Sequence, residues 1–196
     1  MLQEFLSVFI PIIIIVNPSS TLALFSAITS KYSKSDRKRT AKSAAIYAAI
    51  LLIIFAIAGS SILEYLRIEV YSLRIAGGIL LAFVGLDMVR RGEQFGEGPP
   101  DKEHKADYAL VPLAMPSLAG PGAITITIVS MKTLTVNNSW ITAIFIAIIS
   151  IILTMLITYL IFLSSGFVIQ ALGKKGMDAF TRVMGLLTVA IAVQFA

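Results

Sequence analysis

Two short interruptions of long apolar runs are the places where this sequence could do chemistry. Residues 17–21 read NPSST and residues 120–122 read GPG. Proline lacks a backbone N–H and suits the first position of a helix, where that group would have no partner. Asparagine suits the N-cap that precedes such a start, and glycine lets another group approach the backbone closely. Each interruption therefore predicts that one helix ends and a new one begins.

A helix start of this kind offers groups that bind charge. Its first N–H groups have no intrahelical acceptor and carry positive partial charge, so they suit a carboxylate. The last carbonyl groups of the preceding helix suit an ammonium group or a cation. Together they favour a zwitterion, with its carboxylate near the amides of residues 19–21 and 122–123 and its ammonium near the carbonyls of Val16 and Ala119. The candidate binding residues are Asn17, Pro18, Ser19, Ser20, Thr21, Ala119, Gly120, Pro121, Gly122, Ala123 and Thr125.

The residue types that are absent narrow the function. No Asp, Glu, Lys or Arg lies beside either interruption, and a buried charge normally marks an ion path or a charged substrate. We therefore expect a net-neutral ligand. The chain has no Cys and a single His, His104, which argues against disulfides, thiolate metal sites and His-based triads. Since no nucleophile–base pair or carboxylate pair lies deep in an apolar run, we expect no enzyme activity, no metal and no cofactor.

The elements that hold these interruptions are long apolar helices. Hydrophobic residues make up 57% of the 196 residues and charged residues 14%, and the mean hydropathy is +0.89. Soluble domains carry about 25% charged residues, so the chain is expected to be an all-α, multi-pass membrane protein in contact with the lipid bilayer. Its basic residues lie in the gaps between apolar runs, which is not the pattern of nucleic-acid binding. Six transmembrane helices are predicted, at residues 4–30, 40–63, 71–89, 108–131, 140–163 and 177–196.

The distribution of basic residues predicts the orientation. The gaps after the first, third and fifth segments hold 13 Lys and Arg residues, counting Arg182 at the start of the sixth, and the opposite gaps hold 3. The side that is richer in Lys and Arg is normally cytoplasmic. Both termini are therefore expected to lie outside, in a plasma or inner membrane.

The chain divides into two similar halves. Residues 1–92 and 108–196 each begin with a proline-interrupted segment, and a charged, Gly/Pro-rich linker at residues 93–107 separates them. An Arg-x-x-Gly pattern opens the third segment at Arg74 and the sixth at Arg182. Because three crossings is an odd number, the second half must lie in the opposite orientation to the first. Two inverted three-helix repeats with broken first and fourth helices are typical of secondary transporters.

Four stretches resemble the MarC/SnatA family of six-helix membrane proteins along essentially the whole chain. They are IIVNPSSTLALF, LRIAGGILLAFVGLDMV, LVPLAMPSLAGPGAIT and LGKKGMDAFTRVMGLLTVAIAVQ, of which the third is the most specific. The resemblance implies transport of small neutral amino acids such as glycine and alanine, by alternating access at the two breaks. Many members look like DPxGxxPxF at the first stretch, whereas this chain has Asn17. The acid that proton coupling would use is therefore missing there.

The sequence is compatible with more than one mode of transport. Either a proton or sodium is the candidate coupling ion, both uptake and export fit the pattern, and no oligomeric state is specified. One alternative is an exporter of other small apolar or drug-like compounds, which would want a large apolar cavity. Another is a passive channel, which would need a continuous polar lining.

Overall fold

The computed structural model describes residues 2–29, 32–91 and 109–195, and each element in these ranges is helical. The predicted linker at residues 93–107 lies outside the described residues. One element, called the π segment here, is a π-helix rather than an α-helix. The elements are α1 (Leu2–Val16), α2 (Pro18–Ile28), α3 (Lys34–Tyr65), α4 (Val70–Arg91), the π segment (Ala109–Leu118), α5 (Pro121–Asn137), α6 (Trp140–Leu163) and α7 (Ser165–Phe195).

Four of the described helices are long and apolar enough to cross a membrane. They span Lys34–Tyr65, Tyr71–Arg90, Trp140–Leu163 and Asp178–Phe195, and they correspond to the second, third, fifth and sixth predicted segments. The second segment begins earlier than predicted because Ser33 caps the helix, its hydroxyl accepting a hydrogen bond from the Asp36 amide at 3.1 Å. The other two predicted segments are each divided into shorter helices.

A helical piece that the sequence does not predict precedes the sixth segment. Residues 164–176 were expected to connect the fifth and sixth segments, but α7 already starts at Ser165. Gly173 interrupts this helix with φ 63° and ψ 176°. Glycine adopts a positive φ without the steric cost that a Cβ would bring, so two helical pieces follow each other directly across this residue.

Two neighbouring helix pairs of the bundle, α1 with α5 and α3 with α6, run antiparallel. At one end of the α1–α5 pair, the Asn138 side-chain amide donates to Oε1 of Glu4 at 2.8 Å. In the α3–α6 pair, Arg37 at the start of α3 donates to the hydroxyl of Ser165, which follows the end of α6. These contacts align the start of each helix with the end of its partner.

Helices α4 and α7 pack most intimately, through reciprocal contacts. Arg74 near the start of α4 donates to the carbonyl of Gln194 at 3.4 Å, and Arg182 in α7 donates to the carbonyl of Val89. A Cβ added to either Gly85 or Gly185 would lie 2.8 Å from the carbonyl oxygen of the other glycine. Gly85 and Gly185 therefore allow close helix packing, as is usual in membranes.

The outer faces of the bundle are apolar. On α6, Phe145 is 60% exposed and Ile152 is 52% exposed, while Ser150 and Thr154 are fully buried on the opposite side. Soluble monomers rarely present large contiguous apolar surfaces. This inside-out pattern fits a chain whose outer surface faces lipid.

Candidate functional site

The first helix break lies at Asn17, as predicted. Helix α1 ends at Val16 and α2 begins at Pro18, and between them Asn17 adopts a left-handed conformation with φ 42° and ψ 69°. Asparagine is one of the few residues with a side chain that visits this region readily. The chain therefore changes helix at a single residue.

The side chain of Asn17 does not cap α2, which corrects the role predicted for it. Asn17 stands at the N-cap position, but its side chain makes no capping hydrogen bond. A capping residue normally has an extended backbone that directs its side chain towards the next amides, and the left-handed backbone of Asn17 does not. The residue is 2% exposed, and within the described part of the chain both Oδ1 and Nδ2 are buried without a partner. Such an unsatisfied pair of groups in a buried site calls for an explanation.

The first turn of α2 leaves further polar groups unused. Pro18 has no N–H, and the amides of Ser19 and Ser20 lie in the first turn, so they have no acceptor within α2. The Thr21 amide reaches the carbonyl of Asn17 only at 3.4 Å. Thr21 is fully buried and its hydroxyl has no partner among the described residues, while Ser19 is half-buried. The side chain of Ser20 lies outside the described part.

The second break lies between the π segment and α5, again at the predicted proline. The π segment ends at Leu118, and the Ala119 amide donates to the carbonyl of Ala114 at 2.8 Å, across five residues. Gly120 is extended, with φ −75° and ψ 174°, and Pro121 begins α5. The first backbone bond of the new helix joins the Ile124 amide to the Gly120 carbonyl at 3.0 Å. The amides of residues 122 and 123 therefore have no intrahelical acceptor.

The π-helical form of this segment was not predicted. Prolines at positions 112 and 116 cannot donate the backbone bond of an α-helical turn. The backbone of this segment forms the wider π-helical turn, and such turns often mark functional positions. The sequence alone does not distinguish the two helix types, because a continuous apolar run shows no periodicity that would separate an α-helix from a π-helix.

The remaining predicted residues of the second break differ in burial. Ala119, Ala123 and Thr125 are buried, Gly122 is half-buried, and Pro121 is exposed. Thr125 faces α4, where a Cβ added to Gly77 would lie 2.9 Å from the Thr125 hydroxyl oxygen. Thr125 therefore lies in a tight helix contact rather than at an open surface.

Ser117 is a candidate residue that the sequence analysis missed. It is 6% exposed, and its hydroxyl has no hydrogen-bond partner within the described residues. The nearby Thr127 shows the contrast, because its hydroxyl donates to the Ala123 carbonyl at 2.7 Å. The sequence feature that could have identified Ser117 is its position as a single polar residue in an apolar run, three residues before Gly120.

The structure brings the two breaks together. A Cβ added to Gly122, at the start of α5, would lie 3.4 Å from Cγ2 of Ile15, two residues before Asn17, and would also overlap Leu81 of α4. Helix α2, which starts at the first break, packs against the π segment, which leads to the second. Two helix starts and two helix ends therefore share one region of the core.

Helix ends and neutral polar groups dominate the electrostatics of this region. Residues 5–30 and 108–131 contain no Asp, Glu, Lys or Arg. Within the described residues, no group of three or more His, Cys, Asp or Glu side chains is placed to hold a metal ion. The positive partial charge of each helix start, about half a unit charge, is therefore the main local field.

A cluster of four residues, called the Arg37 cluster here, lies at one end of the bundle. The rings of Phe25 and Phe162 stack with their centroids 4.4 Å apart, and the Arg37 guanidinium lies 5.5 Å from the Phe25 ring centroid. Arg37 also donates to the Ser165 hydroxyl, which itself donates to the Phe162 carbonyl at 2.6 Å. Arg37 was interpreted as an orientation signal alone, but it joins α2, α3, α6 and α7.

The opposite end of the bundle carries an exposed ion pair. Lys132 of α5 pairs with Glu64 of α3 at 3.8 Å, and their side chains are 49% and 73% exposed. An exposed ion pair of this kind contributes about 0–1 kcal/mol. This ion pair is therefore exposed, whereas the guanidinium-bearing Arg37 at the other end is half-buried.

Comparison with known proteins gives a consistent result along the chain. Residues 2–196 match the model of the MarC family integral membrane proteins. The chain is 42% identical to a UPF0056 membrane protein of Methanocaldococcus jannaschii, over 98% of this chain and 94% of that protein. It is 33% identical to the UPF0056 inner membrane protein MarC of Escherichia coli, over 91% of this chain and 86% of that protein. No solved structure matches the chain.

Proposed function

Since the chain belongs to the MarC family of integral membrane proteins, we propose that it is a secondary transporter of small neutral amino acids. In this proposal, a zwitterion of the size of glycine or alanine binds between the two helix breaks. The substrate class is the one implied by the resemblance of residues 17–21 and 120–122 to the MarC/SnatA family. The structural argument for it begins with the unused polar groups at the breaks.

The unpartnered side chain of Asn17 is the observation that carries this proposal. A buried polar group without a partner costs about 1–3 kcal/mol. A zwitterion would satisfy both halves of the amide, because its carboxylate accepts from Nδ2–H and its ammonium donates to Oδ1. The hydroxyls of Thr21 and Ser117, unpartnered among the described residues, offer further bonds, one from each side of the paired breaks.

The packing around the breaks supports a small substrate. Gly122 is in contact with Ile15 and Leu81, and Ala119 and Ala123 are buried beside it. No formal charge lies in either interrupted segment, so the site favours a net-neutral ligand over a cation or a dianion. A drug-like apolar compound would leave the Asn17 amide unsatisfied.

Alternating access would use two inverted repeats, residues 1–92 and 108–196. In this arrangement α1 with α2, and the π segment with α5, form the broken first and fourth of six crossings, and both termini lie outside. The reciprocal contacts of Arg74 with α7 and of Arg182 with α4 support such a two-fold relation. The Arg37 cluster would be the closed gate at one end, and the exposed Lys132–Glu64 end would be the more accessible one.

A passive channel is the weaker alternative. It would need free polar groups along a continuous path. The buried hydroxyls of Ser150, Thr154 and Thr158 form a row on α6, but each donates to a carbonyl of its own helix at 2.8 Å. They therefore do not present unused groups to a permeating molecule.

Flux measurements on the purified protein test this proposal. The protein is reconstituted in liposomes, and uptake of radiolabelled glycine and alanine is followed with sodium and proton gradients imposed separately. We expect saturable flux, driven by one gradient and competed by unlabelled alanine but not by a bulky apolar compound. Flux that grows linearly with concentration would instead indicate a channel, and absence of amino-acid flux under either gradient would refute the transporter assignment.

A further inference from the structure

A groove on the outer surface of the bundle lies between α3 and α6. Its volume is about 550 Å³. Lys38, Lys42, Ala45 and Ala49 of α3 line one wall, and their spacing of four, three and four residues places them on one helix face. Lys38 and Ala49 are eleven residues apart, which corresponds to about 16 Å along the helix. The groove therefore runs from the basic end of α3 well into its apolar span.

The groove is amphipathic along its length. At one end Lys38 and Lys42 are exposed, and within the described residues neither has an ion-pair partner. Deeper in, Ala45 and Ala49 form a narrow floor and the opposite wall from α6 is apolar. Among the described residues, no acidic side chain lines the groove. Asp36, which is nearby in sequence, instead accepts a hydrogen bond from the Ser33 hydroxyl at 2.6 Å.

We propose that this groove binds one anionic phospholipid, with its phosphate at Lys38 and Lys42 and an acyl chain along Ala45 and Ala49. Basic pockets between transmembrane helices are a recurrent kind of lipid headgroup site. Tyr159 of α6 lines the same groove, and a tyrosine has the amphipathic ring that suits the boundary between headgroup and chain. This binding is separate from the proposed transport site at the helix breaks.

Charge complementarity favours a lipid over a second copy of the chain. A symmetric dimer through this groove would place Lys38 and Lys42 near the same lysines of its partner, and the chain as a whole carries a net charge of +5. An anionic headgroup neutralises the lysines instead. The exposed apolar side chains of Ile152 and Leu156 on the opposite wall then contact an acyl chain.

Native mass spectrometry of the detergent-solubilised protein tests the proposal, with dioleoyl phosphatidylglycerol as the probe. We expect one tightly retained molecule of this lipid on the parent protein and weaker retention of dioleoyl phosphatidylcholine. The double variant Lys38→Ala/Lys42→Ala should weaken phosphatidylglycerol binding by roughly 30-fold, from about 1 kcal/mol for each lysine. The matched control, Lys34→Ala/Arg39→Ala, removes the same charge from the same helix end outside the groove and should bind within about twofold of the parent.

A second variant separates the acyl chain from the headgroup. Ala49→Phe fills the apolar part of the groove and keeps both lysines, so it should also release the lipid. Equal retention by Lys38→Ala/Lys42→Ala and by its control would overturn the proposal. Binding of glycerol 3-phosphate as tight as that of the lipid would show a free phosphate site instead. A dimer that Ala49→Phe dissociates without changing lipid retention would identify a protein interface.

Discussion

Gly122 at the start of α5 lies directly against Ile15 in the last turn of α1, so the second helix break touches the first. A Cβ on Gly122 would lie 3.4 Å from Cγ2 of Ile15 and would overlap the side chain of Leu81. The absence of a side chain at position 122 therefore sets how closely the two broken helices approach. This relation links the stability of the bundle to the geometry of the proposed substrate site.

Gly122→Val should impair transport strongly. The added methyl groups would push α5 away from Ile15 and Leu81, and overpacking of this kind costs typically about 1–3 kcal/mol. We expect glycine flux in proteoliposomes to fall below about a tenth of the parent value, since 1.4 kcal/mol corresponds to a tenfold change. Gly166→Val is the matched control, because no atom of the described residues lies within 4 Å of a Cβ added there. Equal loss of flux in the two variants would show that the loss does not arise from the contact of Gly122 with α1.

Removal of the Asn17 side chain should lower transport more than stability. The amide makes no capping bond and no other hydrogen bond within the described residues, so its loss removes an unsatisfied group rather than a contact. Asn17→Gly keeps the positive φ, whereas Asn17→Ala adds a strain of about 1–2 kcal/mol. We expect both variants to lose about tenfold in glycine affinity, with only Asn17→Ala lowering the unfolding temperature clearly. Parent-like flux in Asn17→Gly would exclude the amide as a ligand.

Thr21 and Ser117 should behave differently from Thr127. Among the described residues, the buried hydroxyls of Thr21 and Ser117 have no partner, whereas the Thr127 hydroxyl bonds to its own helix. Thr21→Val and Ser117→Ala should therefore reduce glycine affinity by about three- to tenfold, the loss of one hydrogen bond. Thr127→Val, which alters a buried hydroxyl of the same helix region, should leave affinity within about twofold. Identical affinities in all three variants would contradict the site.

The positions of the helix breaks were predictable from sequence, but the hydrogen bonding of the side chains around them was not. Pro18 and Pro121 fix where new helices start, because proline cannot continue the hydrogen-bond ladder of the helix before it. The conformation of Asn17 depends on how α1 and α2 pack against the rest of the bundle, so its expected capping role was wrong. Ser117 looked like an ordinary helix residue, because only the folded core shows that its hydroxyl has no partner among the described residues.

The helix boundaries show the same division. Residues 140–163 were predicted without error, because Ser139 caps the helix and the apolar run ends with it. The helical piece between Ser165 and Gly173 was not predicted, because Gly173 and the two lysines after it resemble a connection in sequence. Instead, helix is present on both sides of Gly173, and the positive φ of this glycine allows the chain to change direction there.

Reporter fusions should place both termini outside. The contact of Arg74 with Gln194 puts the start of α4 and the end of α7 at the same end of the bundle. Arg37 and Ser165 share an end in the same way, and most basic residues belong to that end by sequence. We expect a periplasm-active reporter to work when fused after residue 196 and to be inactive when inserted at residues 93–107. The reverse pattern would invert the orientation while leaving the helix pairing intact.

Arg37→Ala should open the Arg37 end of the bundle. The cation–π contact with Phe25 and the bond to Ser165 together contribute about 1–2 kcal/mol, so their loss should raise the population of an open state by roughly tenfold. The chain has no native Cys, so Ser26→Cys, next to Phe25 on α2, provides a single labelling site beside the cluster.

In inside-out membrane vesicles, where the predicted cytoplasmic end of α3 faces the reagent, we expect a membrane-impermeant maleimide to label Ser26→Cys several-fold faster in the Arg37→Ala background. Arg39→Ala serves as the control, because Arg39 is an exposed residue of the same helix turn. If the substrate binds at the helix breaks and favours the closed state, addition of glycine should slow the labelling in both backgrounds. A ligand shifts a conformational equilibrium towards the state that it binds better. Equal labelling rates in both backgrounds, with and without glycine, would show that the Arg37 cluster is a structural contact and not a gate. The gate of the proposed transporter would then lie elsewhere in the bundle.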